Sequence, residues 1–353
     1  MPQTITRLPS RSARPTIEIA GQQQTRLEAA LLEYMLADGI DTMAHAELRF
    51  GNWGGAQPGF QWFDRRLLDF GKEITVKQGG EVLFAGRITA ITAHYPQGRP
   101  PELSVLAEDR LQDLRMTRRT RSFAAQGLGD IARTIASDHG LEADVSVSGP
   151  SWKALAQVAQ SDLAFLIDLA RREDAMVWID QGKLVVRRSR DVSGVSLAWA
   201  GTLRSFDVCA DLATQRTALL ATGWNVADKK AARHEADTSA LGSELGQDQA
   251  GGEILREAFG QRKDQVAHLV PANDAEARTL AEAAYRHLAR NFVVGEGECE
   301  TDPLLRVGAK LSLTGLGPLF DGDYRIRART HLFDAAEGAR TQFTCDRAGL
   351  GRG

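Results

Sequence analysis

Two distant stretches of the sequence carry nearly the same strand pattern. Residues 82–94 read VLFAGRITAITAH, and residues 318–331 read PLFDGDYRIRARTH. Each stretch contains Leu-Phe-x-Gly, then alternating apolar and polar residues, and ends in a histidine. Because successive side chains of a strand point to opposite faces, each stretch predicts a strand with one buried face.

The similarity extends over residues 71–110 and 308–347. The matched positions are Gly71 with Gly308, Ile74 and Val76 with Leu311 and Leu313, Leu83-Phe84 with Leu319-Phe320, Gly86 with Gly322, His94 with His331, Gly98 with Gly338, Ala107 with Cys345, and Asp109-Arg110 with Asp346-Arg347. Two unrelated β-meanders would share the alternation but not this order of motifs. We interpret the pattern as a duplication that gives two small antiparallel barrels or curled sheets, in which the motif glycine permits a bend or a close backbone approach.

The chain has 353 residues, more than one ordinary core accommodates. The sequence predicts an α+β fold that is mainly β, with two related antiparallel tube-type β-barrels, an inserted α/β region and a helical or loop insertion. The expected divisions are a flexible arm at 1–14, the first barrel at 15–115, the inserted α/β domain at 116–195, the second barrel with a helix at 196–225 and 273–347, a polar loop or insertion at 226–272, and a tail at 348–353.

Helix signals support the inserted region. Residues 127–140 place apolar side chains at helical spacing and end in Gly140, and Ser161 is a good N-cap for the apolar stripe that follows it. Residues 176–188 predict a hairpin with a turn at Gln181-Gly182. Residues 273–292 predict an amphipathic helix with acidic residues early and arginines late.

Composition and charge exclude several function classes. The net charge of −3 gives no general electrostatic case for binding nucleic acid. The cysteines Cys209, Cys299 and Cys345 form no CxxC pair, so reduced thiols in a cytoplasm are expected. The N-terminus has no apolar core typical of a secretory signal, and no apolar run is long enough to cross a bilayer.

The histidines give no metal-ligand or catalytic spacing. They are His45, His94, His139, His234, His268, His287 and His331. None forms HExxH, and the matching of His94 with His331 in the repeat favours a packing role for both. The string GLGPLFDG lacks the Lys-Ser/Thr and the following helix of a phosphate loop, and it predicts a turn.

Two charged groups need weighing. Asp162, Asp168, Glu173 and Asp174 lie on or near one predicted helix; a glycosidase would need two carboxylates that face a cleft, and a solvated helix face is the favoured reading. A basic run follows the first repeat and contains Arg110, Arg115, Arg118, Arg119 and Arg121. It is read either as a solvated linker or as an interface strip for acidic residues of another subunit. The sequence predicts no catalytic, cofactor-binding or metal-binding residue, no cofactor and no enzyme activity.

The chain resembles a known protein family. The residues that carry the resemblance are SDLAFLIDLARREDAMVWIDQGKLVVRR, from Ser161 onwards, and the second copy of the repeat. They resemble the baseplate hub proteins of contractile phage tails, the late-control protein D family, and are similar to the hub portion of the VgrG spike proteins of type VI secretion. The resemblance covers about residues 15–347 and rests on structural motifs rather than catalytic ones.

The resemblance implies two related tube-type barrels per chain and a homotrimer. Three chains with two similar barrels each would imitate six units, and so join a hexameric tail tube to a trimeric spike. VgrG proteins continue into a spike, whereas this sequence stops at AGLGRG, so the spike is expected to be a separate protein. Tape-measure or other baseplate proteins are further expected partners, without specific nucleic acid or membrane. The resemblance also implies assembly in the bacterial cytoplasm and a place in a virion tail or contractile injection particle.

Two alternatives remain open from the sequence. One is the hub of a contractile injection or secretion apparatus that delivers effectors. The other is a tail-associated peptidoglycan hydrolase, which predicts a concave site with paired carboxylates or a zinc ligand set.

Overall fold

The computed structural model describes residues 14–55, 58–188 and 194–352. Strands, most of them antiparallel, dominate the regular structure, and this confirms the predicted α+β, mainly β fold class. The predicted arm at 1–14 lies outside the described residues except for Arg14.

The first part of the chain forms an antiparallel sheet. Its elements are β1 Thr16–Ile19, β2 Gln22–Gln23, the helix α1 Thr25–Ala30, β3 Leu31–Gly39, β4 His45–Gly51, β5 Trp53–Gly54, β6 Gly59–Phe60, β7 Glu73–Gln78, β8 Glu81–His94 and β9 Glu102–Glu108. Within the part of the chain that the structure describes, strands β5 and β6 pair only with each other. In β4, Ala46, Leu48 and Phe50 are buried because every second side chain faces the core.

The inserted region has two small sheets and three helices. Its elements are α2 Leu111–Arg115, β10 Arg118–Gln126, α3 Leu128–Asp138, β11 Glu142–Ser146, β12 Trp152–Ser161, α4 Asp162–Arg172, β13 Met176–Asp180 and β14 Lys183–Arg187. Ile131 and Ile135 of α3 and Leu166 of α4 lie in one buried core, as the helical spacing predicts. The Ser161 hydroxyl accepts a hydrogen bond from the Ala164 amide at 3.2 Å, which confirms the predicted N-cap.

The rest of the chain contains the second large set of strands. Its elements are β15 Val195–Ala198, β16 Leu203–Ala210, β17 Ala218–Asn225, β18 Lys230–Ala236, a 3-10 segment Thr238–Glu244, β19 Gln249–Ala250, α5 Gly251–Phe259, β20 Lys263–Gln265, α6 Asp274–Arg290, β21 Val293–Glu300, β22 Lys310–Thr314, β23 Gly322–Asp334, β24 Gly338–Arg347 and β25 Gly349–Leu350. Strand β17, predicted inside the second barrel, instead pairs with β18 and β20 in a separate sheet under α6.

The segment 226–272, predicted as a polar loop or insertion, is folded. It contains β18, β19, α5 and β20. Ala232, Leu241 and Ala250 are buried in one core with side chains of α6. These few, mostly small apolar residues are sufficient to form a core because the long helix α6 covers them.

One sheet runs through both large sets of strands. Its order is β16-β21-β24-β23-β3-β4-β9-β8-β7-β1-β2, and β22 pairs with β23 and β15. We call β3, β4, β7, β8 and β9 the first unit, and β16, β21, β22, β23 and β24 the second unit. The two units join where β23 pairs with β3, from Ala328 opposite Gly39 to Asp334 opposite Glu33.

Both units contain the same bulge. The pairing with the next strand slips by one residue directly after Ile88 in β8 and directly after Ile326 in β23. The Gly71 amide donates to the Ile88 carbonyl at 2.8 Å, and the Gly308 amide donates to the Ile326 carbonyl at 2.8 Å. This shared hydrogen-bond pattern supports the duplication and fixes which residues correspond.

The bulge tests the sequence alignment at the end of the repeat. Ala107 lies opposite Ile88 and Cys345 lies opposite Ile326, so Cys345 corresponds to Ala107 and is buried, as predicted. The matching of Asp109 with Asp346 is wrong by one residue. Glu108, not Asp109, holds the position of Asp346 next to the bulge.

The matching of the two histidines is also wrong by one residue. Counted from the shared bulge, His94 takes the position of Leu332, and His331 takes that of Ala93. A shift of one residue moves a side chain to the opposite face of a sheet. His94 is therefore exposed, whereas His331 is buried.

The Leu-Phe-x-Gly motifs are offset by two residues. Phe84 and Gly86 hold the positions of Gly322 and Tyr324. Each unit thus places an aromatic ring and a glycine two residues apart on one face, but in reverse order. This exchange explains why a comparison of the motif letters selects the wrong register.

Candidate functional site

The described residues contain no group of three or more His, Cys, Asp or Glu side chains that could hold a metal ion. The histidines stay dispersed and contact different partners. His139 lies 2.8 Å from Asp162, His287 lies 3.0 Å from Asp174, and the Nδ1 atom of His331 lies 2.7 Å from the Thr341 hydroxyl. These contacts hold elements together and lie in different places: His287 and Asp174 line a cavity with His45, whereas His331 lines a separate one.

The four acidic residues singled out in the sequence have four different environments. Asp162 is buried and accepts a hydrogen bond from Gln157, while Asp168 is exposed beside Arg172. Glu173 and Asp174 are both buried, and Asp174 pairs with α6. The predicted solvated helix face is therefore correct for Asp168 alone. These four residues do not form the paired-carboxylate site that a glycosidase needs.

The basic run is part of the inserted fold. It contributes α2 and β10 rather than a linker. Arg119 and Arg121 lie 3.0 and 2.9 Å from the carboxylate of Asp162, and Arg121 also stacks over the ring of Phe123. Burial opposes the charged form of Asp162, but hydrogen bonds from Gln157 and the nearby cations hold its pKa below the ordinary value. These two arginines therefore stabilise a carboxylate within the chain.

Asp109, at the end of the first repeat, also has a structural role. Its carboxylate accepts hydrogen bonds from the Ala44 amide at 3.1 Å and the Leu111 amide at 2.9 Å. Burial raises the pKa of Asp109 to about 7, and these two amides oppose the rise. The contacts tie the start of β4 to the start of α2.

The distinctive surface is a pair of open strand edges. Strand β7 pairs with β8 only as far as Arg87, and among the described residues the rest of β8 pairs with β9 alone. At the other end of the run, β16 bridges to Trp199 at Leu203, and from Ser205 to Ala210 it pairs with β21 alone within the same described ranges. Open edges present rows of unpaired amide and carbonyl groups that can template pairing with another chain.

The same positions are paired at the centre of the sheet. Strand β23, which corresponds to β8, is covered by β3, which corresponds to β16. The two open edges were not predicted from the sequence. Alternation reports the faces of a strand, whereas edge pairing uses backbone groups that every sequence supplies.

Comparison with known proteins gives a family and a fold. The model of the family described as Alg8 N-terminal domain matches residues 11–334. No curated protein matches the sequence significantly.

Several solved structures have the same fold. The 43 kDa tail protein of prophage MuSo2 from Shewanella oneidensis has a TM-score of 0.71 at 15% identity, and the alignment covers 95% of this chain and 98% of that one. A tail protein from Neisseria meningitidis MC58 has a TM-score of 0.69 at 13% identity, with 96% and 97% covered. A component of the E. coli type VI secretion system has a TM-score of 0.59 at 12% identity, with 96% and 79% covered. The resemblance to tail hub and VgrG proteins is thereby confirmed at the level of the fold.

No helix in the part of the chain that the structure describes combines the length and the apolar character needed to cross a membrane.

Proposed function

Starting from the fact that this chain belongs to the Alg8 N-terminal domain family, we propose that it is a structural hub of a contractile tail. In this role it forms a homotrimer that joins a hexameric tail tube to a trimeric spike. The likeness in fold to tail proteins supports the proposal. The same trimer would assemble in the bacterial cytoplasm and become part of the virion tail.

The observation that carries the proposal is the continuous sheet built from two corresponding units. The β23–β3 junction joins them edge to edge, so one chain presents two similar surfaces side by side. Three such chains in a ring present six similar surfaces but retain true threefold symmetry. A ring of this kind matches sixfold contacts on one side and threefold contacts on the other.

The role proposed here is structural and requires no reaction. The polar side chains singled out in the sequence, among them Asp162, Asp174 and His331, are buried against partners within the chain. Their chemistry therefore serves the fold. Tube, separate spike and tape-measure or baseplate proteins are the proposed partners, and shape and symmetry are the means of recognition.

A second candidate is the hub of an injection apparatus that delivers effectors. The likeness to a type VI secretion component supports it. The two candidates share the trimer and differ in what passes along the attached tube.

Light scattering on the purified protein, with negative-stain electron microscopy of the same sample, tests the hub. We expect a mass of three chains and annular particles. A monomer at every concentration, both alone and with a trimeric spike protein, would overturn the proposal. Zymography on peptidoglycan is the test for the hydrolase alternative, for which we expect no cleared band.

A further inference from the structure

We propose that the second half of β8 in one chain pairs with β16 of the next chain, in the register that β23 and β3 use inside each chain. This inference rests on the proposed trimer and specifies the strands through which its chains contact one another. The central junction serves as the template, because β23 and β3 correspond to β8 and β16 and already pair with each other inside each chain.

The correspondence of β16 with β3 follows from the strands beside them. Leu36 of β3 lies opposite Ala46, which lies opposite Ala107. Val208 of β16 lies opposite Gly295, which lies opposite Cys345. Since Ala107 corresponds to Cys345, Val208 corresponds to Leu36. The shared bulge fixes β8 against β23 in the same way.

Transfer of the central register gives the pairs between chains. In the centre, Thr330 lies opposite Ala37, His331 opposite Leu36, Leu332 opposite Met35, and Phe333 opposite Tyr34. The corresponding pairs between chains are Thr92 with Cys209, Ala93 with Val208, His94 with Asp207, and Tyr95 with Phe206. These pairs follow from the backbone register alone; Tyr95, directly after β8, also contacts the rings of Phe60 and Phe63 within its own chain.

The side chains at these positions suit one another. The central rings of Phe333 and Tyr34 are stacked, with centroids 5.6 Å apart and an interplanar angle of 23°. Tyr95 and Phe206 place two aromatic rings at the same positions, and Tyr95 is 68% exposed in the single chain. Cross-strand aromatic pairs stabilise a sheet, and burial of an exposed ring adds to this effect.

The next pair combines a histidine with a carboxylate. His94 and Asp207 are both exposed in the single chain, and among the described residues the ring of His94 has one hydrogen-bond partner, the Ser104 hydroxyl at 3.3 Å. This pair corresponds to Leu332 and Met35 of the central junction. In place of two apolar side chains, the contact between chains thus has a hydrogen-bond donor opposite an acceptor.

The geometry of the two edges gives a head-to-tail contact. The edges lie at opposite ends of the run β16-β21-β24-β23-β3-β4-β9-β8, so each chain offers one edge to each neighbour. Heterologous contacts of this kind close into rings when the rotation fits. They also cover the open edges, which removes the hazard of uncontrolled strand pairing.

A single substitution tests the register. Cys209 is exposed, whereas Cys299 and Cys345 are buried. Thr92→Cys would place a second exposed thiol directly opposite Cys209 of the next chain. Opposed residues in antiparallel strands lie about 4.5–5.5 Å apart between Cα atoms, within the range a disulfide needs.

Mild oxidation should shift the monomer band of the T92C variant to dimer and trimer bands on a non-reducing gel, with nothing larger. The double variant T92C/C209S should stay monomeric on the gel. Ala93→Cys is the matched control, because its side chain points to the opposite face of the same strand and should not reach Cys209. Peptide mapping should identify the bond between positions 92 and 209.

The outcomes separate the register from the trimer itself. A T92C protein that scatters light as a trimer but cross-links no more than the A93C variant would overturn the register and leave the proposed function standing. A cross-linked dimer without trimer would indicate a two-fold contact and would overturn the head-to-tail pairing. A monomer by light scattering, with no cross-link, would overturn both.

Discussion

Arg290 of α6 holds the carboxylate of Asp174, the second residue after α4, with two hydrogen bonds, one of 2.8 Å. Both side chains are almost fully buried, and Arg290 also binds Glu244. Burial alone would raise the pKa of Asp174, but hydrogen bonds from His287 and Arg290 hold it far below the ordinary value. The pair therefore fastens the inserted region to the long helix.

Arg290→Ala should destabilise the protein by about 3–5 kcal/mol, because Asp174 would stay buried without its cation. Urea unfolding followed by circular dichroism measures the loss. The matched control is Arg278→Ala on the same helix, which breaks an exposed pair with Glu282 and should cost about 0.5 kcal/mol or less. Equal effects of the two substitutions would contradict the assigned role of the buried pair.

Glu173→Gln should stabilise the protein at alkaline pH. Glu173 is buried, and neither carboxylate oxygen has a hydrogen-bond partner among the described residues. Burial raises its pKa to about 7, and the charge of Arg188 partly opposes this rise. The neutral form is therefore favoured in the folded state. Its contribution to stability is complete below the unfolded pKa of 4.5 and is lost as the pH rises through 7.

Urea unfolding of wild type and the E173Q variant at pH 5 and pH 8 tests this sign. The variant should be more stable by about 3 kcal/mol at pH 8, and the difference should shrink at pH 5. Glu81→Gln, at an exposed position, controls for the loss of one negative charge. An E173Q variant with the same stability as wild type at pH 8 would contradict the prediction, because it would show that the ionised Glu173 carboxylate does not destabilise the folded protein.

The sequence predicted the duplication but not its register. Alternating strands and turn glycines are local signals, so the two copies could be recognised from their letters. The register depends on the bulge after Ile88 and Ile326, which is a property of backbone pairing. Because the order of Phe84-x-Gly86 is reversed in Gly322-x-Tyr324, matching the glycines of the two motifs gives a register that differs from the one fixed by the bulge.

The charged residues of the inserted region show the same limit. Arg119 and Arg121 read as a basic run because nothing local pairs with them, and Asp162 read as part of a helix face. The pairing of β10 with β12 brings them together across the fold. The open edges of β8 and β16 could not be predicted either, because an edge is open when no other strand pairs with it, and that depends on the whole fold.

His331→Gln should reduce the loss of stability in acid. Burial lowers the pKa of His331 well below its ordinary value, and the charge of Arg329 adds to this effect. The unfolded chain takes up a proton near pH 6.5 that the folded chain refuses, so stability falls with pH below that value. The penalty reaches about 1.4 kcal/mol for each further pH unit, and glutamine removes it.

Thermal or urea unfolding between pH 7.5 and pH 5 should therefore show a shallower pH dependence for the H331Q variant than for wild type. Glutamine can still contact Thr341, which keeps the comparison within a folded protein. The control is His268→Gln, which changes an exposed histidine. Parallel curves for wild type and the H331Q variant would contradict a buried, uncharged His331.

Gly86→Ala should destabilise the first unit, because the strand leaves no room for a side chain there. A Cβ atom on Gly86 would lie 2.4 Å from the carbonyl oxygen of Glu108 and 2.6 Å from the ring of Phe84. Either the backbone or the buried ring must move, at a cost of about 1–3 kcal/mol. Gly51→Ala is the matched control in β4 of the same sheet, since its Cβ would meet only the Ala30 carbonyl oxygen at 3.8 Å. Urea unfolding should show a lower stability for the G86A variant than for the G51A variant. Equal stabilities would mean that the ring of Phe84 moves aside without cost, and that its position over the strand does not require a glycine at residue 86.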